Sequence, residues 1–309
     1  MTSNTKIKVV GVGGSGSNVI SRMMKCKIKG VELVAINADA QDLQKAKAHR
    51  KVRIGKDLTR GLGTGMNPEI GRDAAEEQRE EIQEALKGSD MVFITCGMGG
   101  GCGSGAAPVV ADIVKKSGAL TLAVVTKPFS FEGIQRMEIA QDSLKKLSGK
   151  VDTLISISND KLLSILEPKT TVSNAFWICD ETLRQAVQGI SDLIVLPGII
   201  NIDFADVKAI MKDSGSALFG IGKATGPERA REAAQKALSS PLLDLSCKGA
   251  KGVLFSVSGG KDISLSEIDE AAKIITQEVS PEAKVIFGAI QNEKLKKGEI
   301  KVTVIVTGF

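Results

Sequence analysis

Short apolar runs alternate with stretches of helical period along the first half of the chain. Lys6 to Val10, Val31 to Ile36, the apolar start of Met91 to Gly105, Ala119 to Thr126 and Val151 to Ser158 read as strands. Between them, Val19 to Lys25, Glu69 to Lys87, a stretch opening at Ala106-Ala107-Pro108-Val109-Val110, Glu132 to Leu147 and a short piece from Asp160 to Leu166 closed by Pro168 read as helices. Strands alternating with helices predict an α/β fold with a doubly wound, largely parallel sheet, whose ligands bind at the carboxyl ends of the strands.

The longest helical pattern runs from Ser173 to about Leu196, with Phe176, Cys179, Leu183, Ala186, Val187, Ile190, Leu193 and Ile194 at three- and four-residue spacings, as in a buried connecting helix. Pro197-Gly198 stops it, and Asp203 is placed to cap another helix starting within Asn201 to Asp206. Beyond lie strands at Ser216 to Lys223, Val253 to Ser258, Ala283 to Ile290 and Ile300 to Thr307, and helices at Glu228 to Leu238 and Leu265 to Glu278. This second pattern has no glycine loop and predicts a smaller α/β domain with a mixed sheet and no nucleotide of its own. The expected division is 1–172, a long central helix within 173–202, and 203–309.

Three glycine-rich stretches fall where strands end. In the central one, six of the nine residues from Gly97 to Gly105 are glycine, directly after a strand and before an apolar helix. Glycine allows positive φ and close approach of a ligand to the amide N–H groups, and a following helix N-terminus attracts anions, so this stretch predicts a phosphate cradle. Gly11-Val12-Gly13-Gly14-Ser15-Gly16 fits GxGxxG, and Asp39 after the second strand stands where a dinucleotide ribose would sit, which keeps an oxidoreductase reading open. The third stretch, Gly61 to Pro68, is one more than a dinucleotide fold uses. The P-loop pattern GxxxxGK[ST] and the NKxD pattern are both absent.

Composition narrows the function classes. The 309 residues are 42% hydrophobic and 25% charged, as in a globular chain. The net charge of +5 comes from dispersed lysines, which predicts no nucleic-acid partner. No apolar run approaches a membrane span and Met1-Thr2-Ser3-Asn4 is no signal peptide, so a cytoplasmic protein without direct membrane insertion is expected. The cysteines Cys26, Cys96, Cys102, Cys179 and Cys247 are scattered without a CxxC pair, pointing to reduced thiols and no zinc site. His49 is the sole histidine and lies in a basic segment, which excludes His triads and His metal sites.

Gly99-Gly100-Gly101-Cys102-Gly103-Ser104-Gly105 resembles the GGGTGTG signature of the tubulin/FtsZ superfamily, and the whole chain resembles its FtsZ family of cell-division GTPases. The likeness extends through GLGxGxNPExG at Gly61 to Gly71, FxFEGxxR at Phe129 to Arg136, NDKLL at Asn159 to Leu163 and NxDFADV at Asn201 to Val207. The resemblance implies a GTP-hydrolysing protein that assembles head-to-tail into filaments at the division site. It assigns GTP phosphate contacts to Gly13, Gly14, Ser15 and Gly16, to Gly65 and Met66, and to Gly97 and Gly99 through Gly105. It assigns the guanine to Asn18, Asn159 and Asp180 with Phe176 packed on it, the ribose to Glu132, and a cationic place beside the nucleotide to Arg136. Asn201, Asp203 and Asp206 are implied to position and polarise the attacking water. Mg²⁺ is expected between phosphates and water, since no protein cage for a metal is visible. The family continues past the strand that ends here into a linker and a partner-binding peptide, so other cell-division proteins are expected to bind through a tail these residues do not carry.

Residue chemistry bears on these assignments. A carboxylate accepts from both N1–H and the exocyclic amine of guanine. On the sequence alone, however, Phe176 could be core and Asp180 a solvated helix position. Asp180 and Asn201 are about 20 residues apart along and beyond one helix, roughly 30 Å. They cannot serve the same GTP, so if both are functional one subunit must act on the next, a heterologous contact that builds a filament. Cys102 and Ser104 replace signature threonines, and Trp177 adds a bulky ring beside Phe176. Cys102 should be a weaker phosphate donor than threonine, with the cradle amides favouring its thiolate. A non-hydrolysing scaffold of the same fold remains the alternative besides the oxidoreductase.

Overall fold

A computed structural model describes residues 5–28, 30–163, 166, 169–196, 198–240, 249–292 and 295–309. The chain divides into two compact units, Thr5–Gln188 and Gly189–Phe309.

In the first unit, β1 (Ile7–Val12), β2 (Val31–Asn37), β3 (Arg50–Arg53), β4 (Met91–Gly97), β5 (Leu120–Lys127) and β6 (Thr153–Ser158) lie in the order β3-β2-β1-β4-β5-β6. Every pairing among them is parallel. This is the strand order of an open doubly wound sheet, and its order reverses between β1 and β4, where such sheets bind their ligands. The intervening helices are α1 (Gly13–Lys25), α2 (Ala40–Lys45), α3 (Pro68–Glu77), α4 (Arg79–Leu86), α5 (Gly101–Lys116), α6 (Ile134–Ser148) and α7 (Asn159–Leu163). Strands buried along almost their whole length, such as β1 and β4, explain the unbroken apolar runs seen in the sequence. Val10, Ile94, Ala107, Val110 and Ala140 share one core with α3 and α4.

Four sequence expectations are corrected here. The two glycine stretches after β1 and β4 are not loops preceding helices at Val19 and Ala106: helix α1 already starts at Gly13 and α5 at Gly101. The helix expected over Glu69 to Lys87 is two helices, α3 and α4, parted at Gln78. That side chain is buried and accepts from the backbone N–H groups of Gly55 and Lys56, which draws the chain out of helical geometry. Helix α2 and strand β3 have no counterpart in the sequence reading. Of the piece expected to reach Leu166, helix is described over Asn159–Leu163 and Leu166 is not helical, while Ser164, Ile165 and Pro168 lie outside the described residues.

Helix α8 (Val172–Val195) carries the apolar stripe expected of it, with Cys179, Leu183, Ala186, Val187, Ile190, Leu193 and Ile194 all buried; Pro197 lies outside the described residues. Its first turns are more open, and Phe176 is 40% exposed rather than core.

In the second unit, α9 (Phe204–Met211) is capped by Asp203, whose carboxylate accepts from the Asp206 N–H at 2.8 Å. Strands β7 (Gly215–Thr225), β8 (Gly252–Gly259), β9 (Lys284–Gln291) and β10 (Glu299–Thr307) run β7-β10-β8-β9. The first two pairings are antiparallel and β8–β9 is parallel, giving the mixed sheet that was expected. Helices α10 (Arg229–Leu238) and α11 (Leu265–Gln277) close its core through Ala230, Ala233, Ala237, Ile268 and Ile275. Among the described residues no helix is long and apolar enough to cross a membrane.

Candidate functional site

A cleft of about 530 Å³ opens over the carboxyl ends of β1 and β4 in the first unit, a size suited to a small-molecule ligand. Its floor is made by the N-termini of α1 and α5. Neither helix has a side-chain cap or an acidic residue in its first turn, so their leading N–H groups face the cleft as anion donors. Of the residues assigned to phosphate, Gly13, Gly14, Ser15, Gly97, Gly100, Gly101, Cys102 and Gly103 line it.

The remaining phosphate assignments do not line the cleft. A β-carbon at Gly16 would stand 2.6 Å from the Gly11 carbonyl carbon, so that glycine lets α1 lie on β1. The Ser104 hydroxyl accepts from the Gly99 N–H at 2.9 Å and braces the cradle from behind. Gly105 packs on the start of α3. Gly65 and Met66 form a left-handed turn next to Gly63 and Thr64, which do line the cleft.

The cleft also brings together Asn18, Glu132, Arg136, Asn159, Phe176 and Asp180 from five separate segments. Phe176 meets the buried Phe129 edge to face at 5.3 Å, and Phe129 stacks on Phe131 at 4.9 Å, which fixes the ring while leaving a face open. Asn159 is buried, and its side-chain oxygen has no hydrogen-bond partner. A buried acceptor left open in this way costs roughly 1–3 kcal/mol until a ligand donor meets it. Glu132 bonds the Phe129 N–H at 2.9 Å and Arg136 at 2.6 Å.

Asp180 is 8% exposed, not the solvated position the sequence allowed. Burial pushes its carboxyl up to about 6, against the opposing pull of Arg22, whose Nη2 lies 3.3 Å away, and of the Ser15 hydroxyl. Cys102 also departs from expectation. Burial, together with the nearby Asp42 and Asp39 carboxylates, raises its thiol to about 11 despite a backbone hydrogen bond at Ala38, so the cradle does not favour the thiolate. Cys26, Cys96, Cys102 and Cys179 are free thiols; Cys247 lies outside the described residues.

Sequence reasoning missed part of the lining: Asn37, Asp42, Thr126 and Cys179. Asp39, read as a ribose partner for a dinucleotide, instead stands beside the phosphate cradle. The signal available was position, since Asn37 and Thr126 sit at the carboxyl ends of β2 and β5. Asn201, Asp203 and Asp206 belong to the second unit and are not part of this lining; the Asn201 side chain accepts from the Gly198 N–H at 2.7 Å.

Comparison with known proteins gives the family. Residues 6–167 match the family model described as "Tubulin/FtsZ family, GTPase domain", and residues 215–309 match "FtsZ family, C-terminal domain". The chain belongs to the FtsZ family. It is 54% identical over 303 residues to cell division protein FtsZ 1 of Thermococcus kodakarensis, covering 98% of this chain and 80% of that one. To FtsZ 1 of Pyrococcus horikoshii it is 52% identical over 304 residues, with 98% and 81% covered. A solved FtsZ dimer from M. jannaschii superposes with a TM-score of 0.95 at 49% identity, over 99% of this chain and 89% of that one. This FtsZ-family chain is therefore a GTPase that binds GTP and GDP, which sets aside the dinucleotide and non-hydrolysing readings.

Proposed function

We propose that the GTP-bound chain assembles head-to-tail with copies of itself at the division site, and that the loop of Asn201, Asp203 and Asp206 works on the GTP of the neighbouring subunit. Asp180 stands in the third turn of the 24-residue α8, and the loop follows the end of that helix. The 15 residues from Asp180 to Val195 run roughly 22 Å along the helix at about 1.5 Å each, which carries the loop away from the base that Asp180 would contact. A loop used only on a neighbour makes assembly a condition of turnover.

Within the cleft, the amides of α1 and α5 hold the phosphates, Glu132 takes the ribose and Arg136 stands near it as the one cationic side chain of the lining among the described residues. Phe176 packs on the base, and Asp180, Asn159 and Asn18 contact the guanine edge. The open acceptor of Asn159 supports this reading of the base end. Two carboxylates, Asp39 and Asp42, beside an amide-rich phosphate site suit a nucleotide that arrives with Mg²⁺, which would sit among phosphates and water and offset their repulsion. No cluster of three ligating side chains among the described residues competes for it.

From the neighbour, Asp203 and Asp206 would orient a water on the γ-phosphorus and take up its proton as the bond to the β-phosphate oxygen breaks, releasing GDP and phosphate. The cap that Asp203 makes on α9 holds its carboxylate in place for that task. Sedimentation with GTP and with GDP tests assembly: GTP-dependent pelleting is expected, and a chain that stays in the supernatant while hydrolysing GTP at full rate would refute the reading.

A further inference from the structure

Beside the cleft, three side chains from two helices form a stack, and of these only Asp180 has a role above. The guanidinium of Arg22, on α1, lies 5.3 Å from the ring centre of Trp177 and 3.3 Å from the Asp180 carboxylate. Trp177 and Asp180 are three residues apart on α8 and so lie one turn apart on the same side of the helix. Neither Arg22 nor Trp177 lines the cleft, and the Nε of Arg22 is buried without a partner. The guanidinium is thus held by the aromatic face and the carboxylate.

We propose that Arg22, supported on the ring of Trp177, is a positioning residue that keeps Asp180 ionised and oriented as the double acceptor for the guanine edge. The inference rests on the reading of Asp180 as a guanine contact. A protonated carboxyl offers a donor where N1–H and the exocyclic amine of guanine both need acceptors. A carboxylate this buried drifts toward the protonated form unless a cation faces it. The groups facing Asp180 are Arg22 and the Ser15 hydroxyl from α1 and the adjacent Cys179 thiol on α8, which burial raises to about 12 and keeps neutral; Glu181 acts on Arg22 rather than on Asp180 directly. Arg22 is the single cation of the set. Trp177 gives Arg22 a face to lie against, a contact that strengthens when partly desolvated.

The experiment measures affinities of the full chain for GTP and for inosine triphosphate, which lacks the exocyclic amine, between pH 5 and 9. It compares the wild type with Arg22→Gln, Arg22→Lys, Trp177→Leu and Asp180→Ala. Trp177, the sole tryptophan, also reports nucleotide binding by its fluorescence wherever it is retained. In the wild type, GTP affinity should fall as the pH drops through about 6. Arg22→Gln should move that midpoint up by about one to two pH units, so that GTP binds about twofold to tenfold more weakly at pH 7 and recovers by pH 9. Arg22→Lys should restore most of the midpoint, and Trp177→Leu should shift it by less than Arg22→Gln does. A folded Arg22→Gln with wild-type midpoint and wild-type preference for GTP over inosine triphosphate overturns the inference. If Arg22→Gln does not fold, Arg22→Lys and Trp177→Leu decide it, since both leaving the midpoint unmoved also overturns it. Asp180→Ala separates the two failures. Unchanged guanine preference there removes the underlying reading, whereas lost preference there with an inert Arg22→Gln removes only the role of Arg22.

Discussion

Gly105 and Pro68 approach so closely that a β-carbon on Gly105 would stand 2.0 Å from the Pro68 carbonyl oxygen. The first turns of α5 are therefore pressed onto the start of α3, and the glycines of the cradle serve two different purposes. At Gly100 a β-carbon would meet nothing within 4 Å, and its backbone is extended, at φ −94° and ψ 168°. Gly105→Ala should cost stability, by about 1–3 kcal/mol or more, because helix and loop must move apart. Gly100→Ala should melt like the wild type yet lose GTP affinity by about tenfold or more, because its methyl occupies space left for phosphate. Thermal unfolding and GTP binding measured on both variants check this contrast; similar melting losses in the two would show that Gly100 also packs.

These glycines mark where the sequence could be read and where it could not. The alternation of β1, α1, β2 through β6 and the stripe on α8 were legible because burial imposes a period on the residues that make them. The helical state of Gly13 to Gly16 and Gly101 to Gly105 was not, since glycine is about 1 kcal/mol worse than alanine in a helix and reads as loop. Only the close approach of β1 and α3 reveals why glycine is used there. The break at Gln78 carries no proline or glycine, and its cause is a contact with Gly55 and Lys56 far away in sequence. Strand β3, Arg-Lys-Val-Arg, presents three exposed charges and no alternation of its own. At the site, Asp180 and Phe176 were placed by resemblance; their residue types alone favoured solvent and core, the reverse of what the fold gives them.

Cys102 should be slow to alkylate at neutral pH, with or without GTP, because its thiol is pushed up to about 11 and bound phosphates would raise it further. Cys26 is exposed and should label first. Mass-spectrometric labelling over time distinguishes them, and modification of Cys102 ahead of Cys26 would contradict the burial that sets its acidity. Cys102→Thr restores a stronger O–H donor to the cradle and should tighten GTP binding by about two- to tenfold, the worth of one hydrogen bond of about 0.5–1.5 kcal/mol.

Asp180 should leave a pH signature on stability. Its folded carboxyl is raised from the ordinary aspartate value of 3.8 to about 6, so the folded state holds this proton more tightly than the unfolded one. The stabilising contribution is present in full below pH 4 and is lost as the pH rises through about 6. The nucleotide-free stability of Asp180→Asn relative to wild type should therefore rise between pH 4 and pH 7, by up to roughly 3 kcal/mol. Denaturant unfolding at a series of pH values measures it, and a difference that stays flat would show that Asp180 is not held near neutrality.

If its carboxylate serves the next subunit's GTP as proposed, Asp206→Ala should bind GTP with wild-type affinity and hydrolyse it at least about a hundredfold more slowly. Nucleotide binding and phosphate release on the same sample separate the two effects. Weakened binding would place Asp206 in its own subunit's cleft.

Hydrolysis by the neighbour's loop requires that an isolated subunit be nearly inert. The most direct measurement is phosphate release per subunit across a wide range of protein concentration at saturating GTP. Turnover across subunits gives a rate per subunit that is close to zero in dilute solution, rises steeply at the onset of assembly and then levels off. A full rate that is independent of concentration, persisting in a sample shown to be monomeric, would mean that the cleft and the Asn201, Asp203 and Asp206 loop serve the same GTP within one chain.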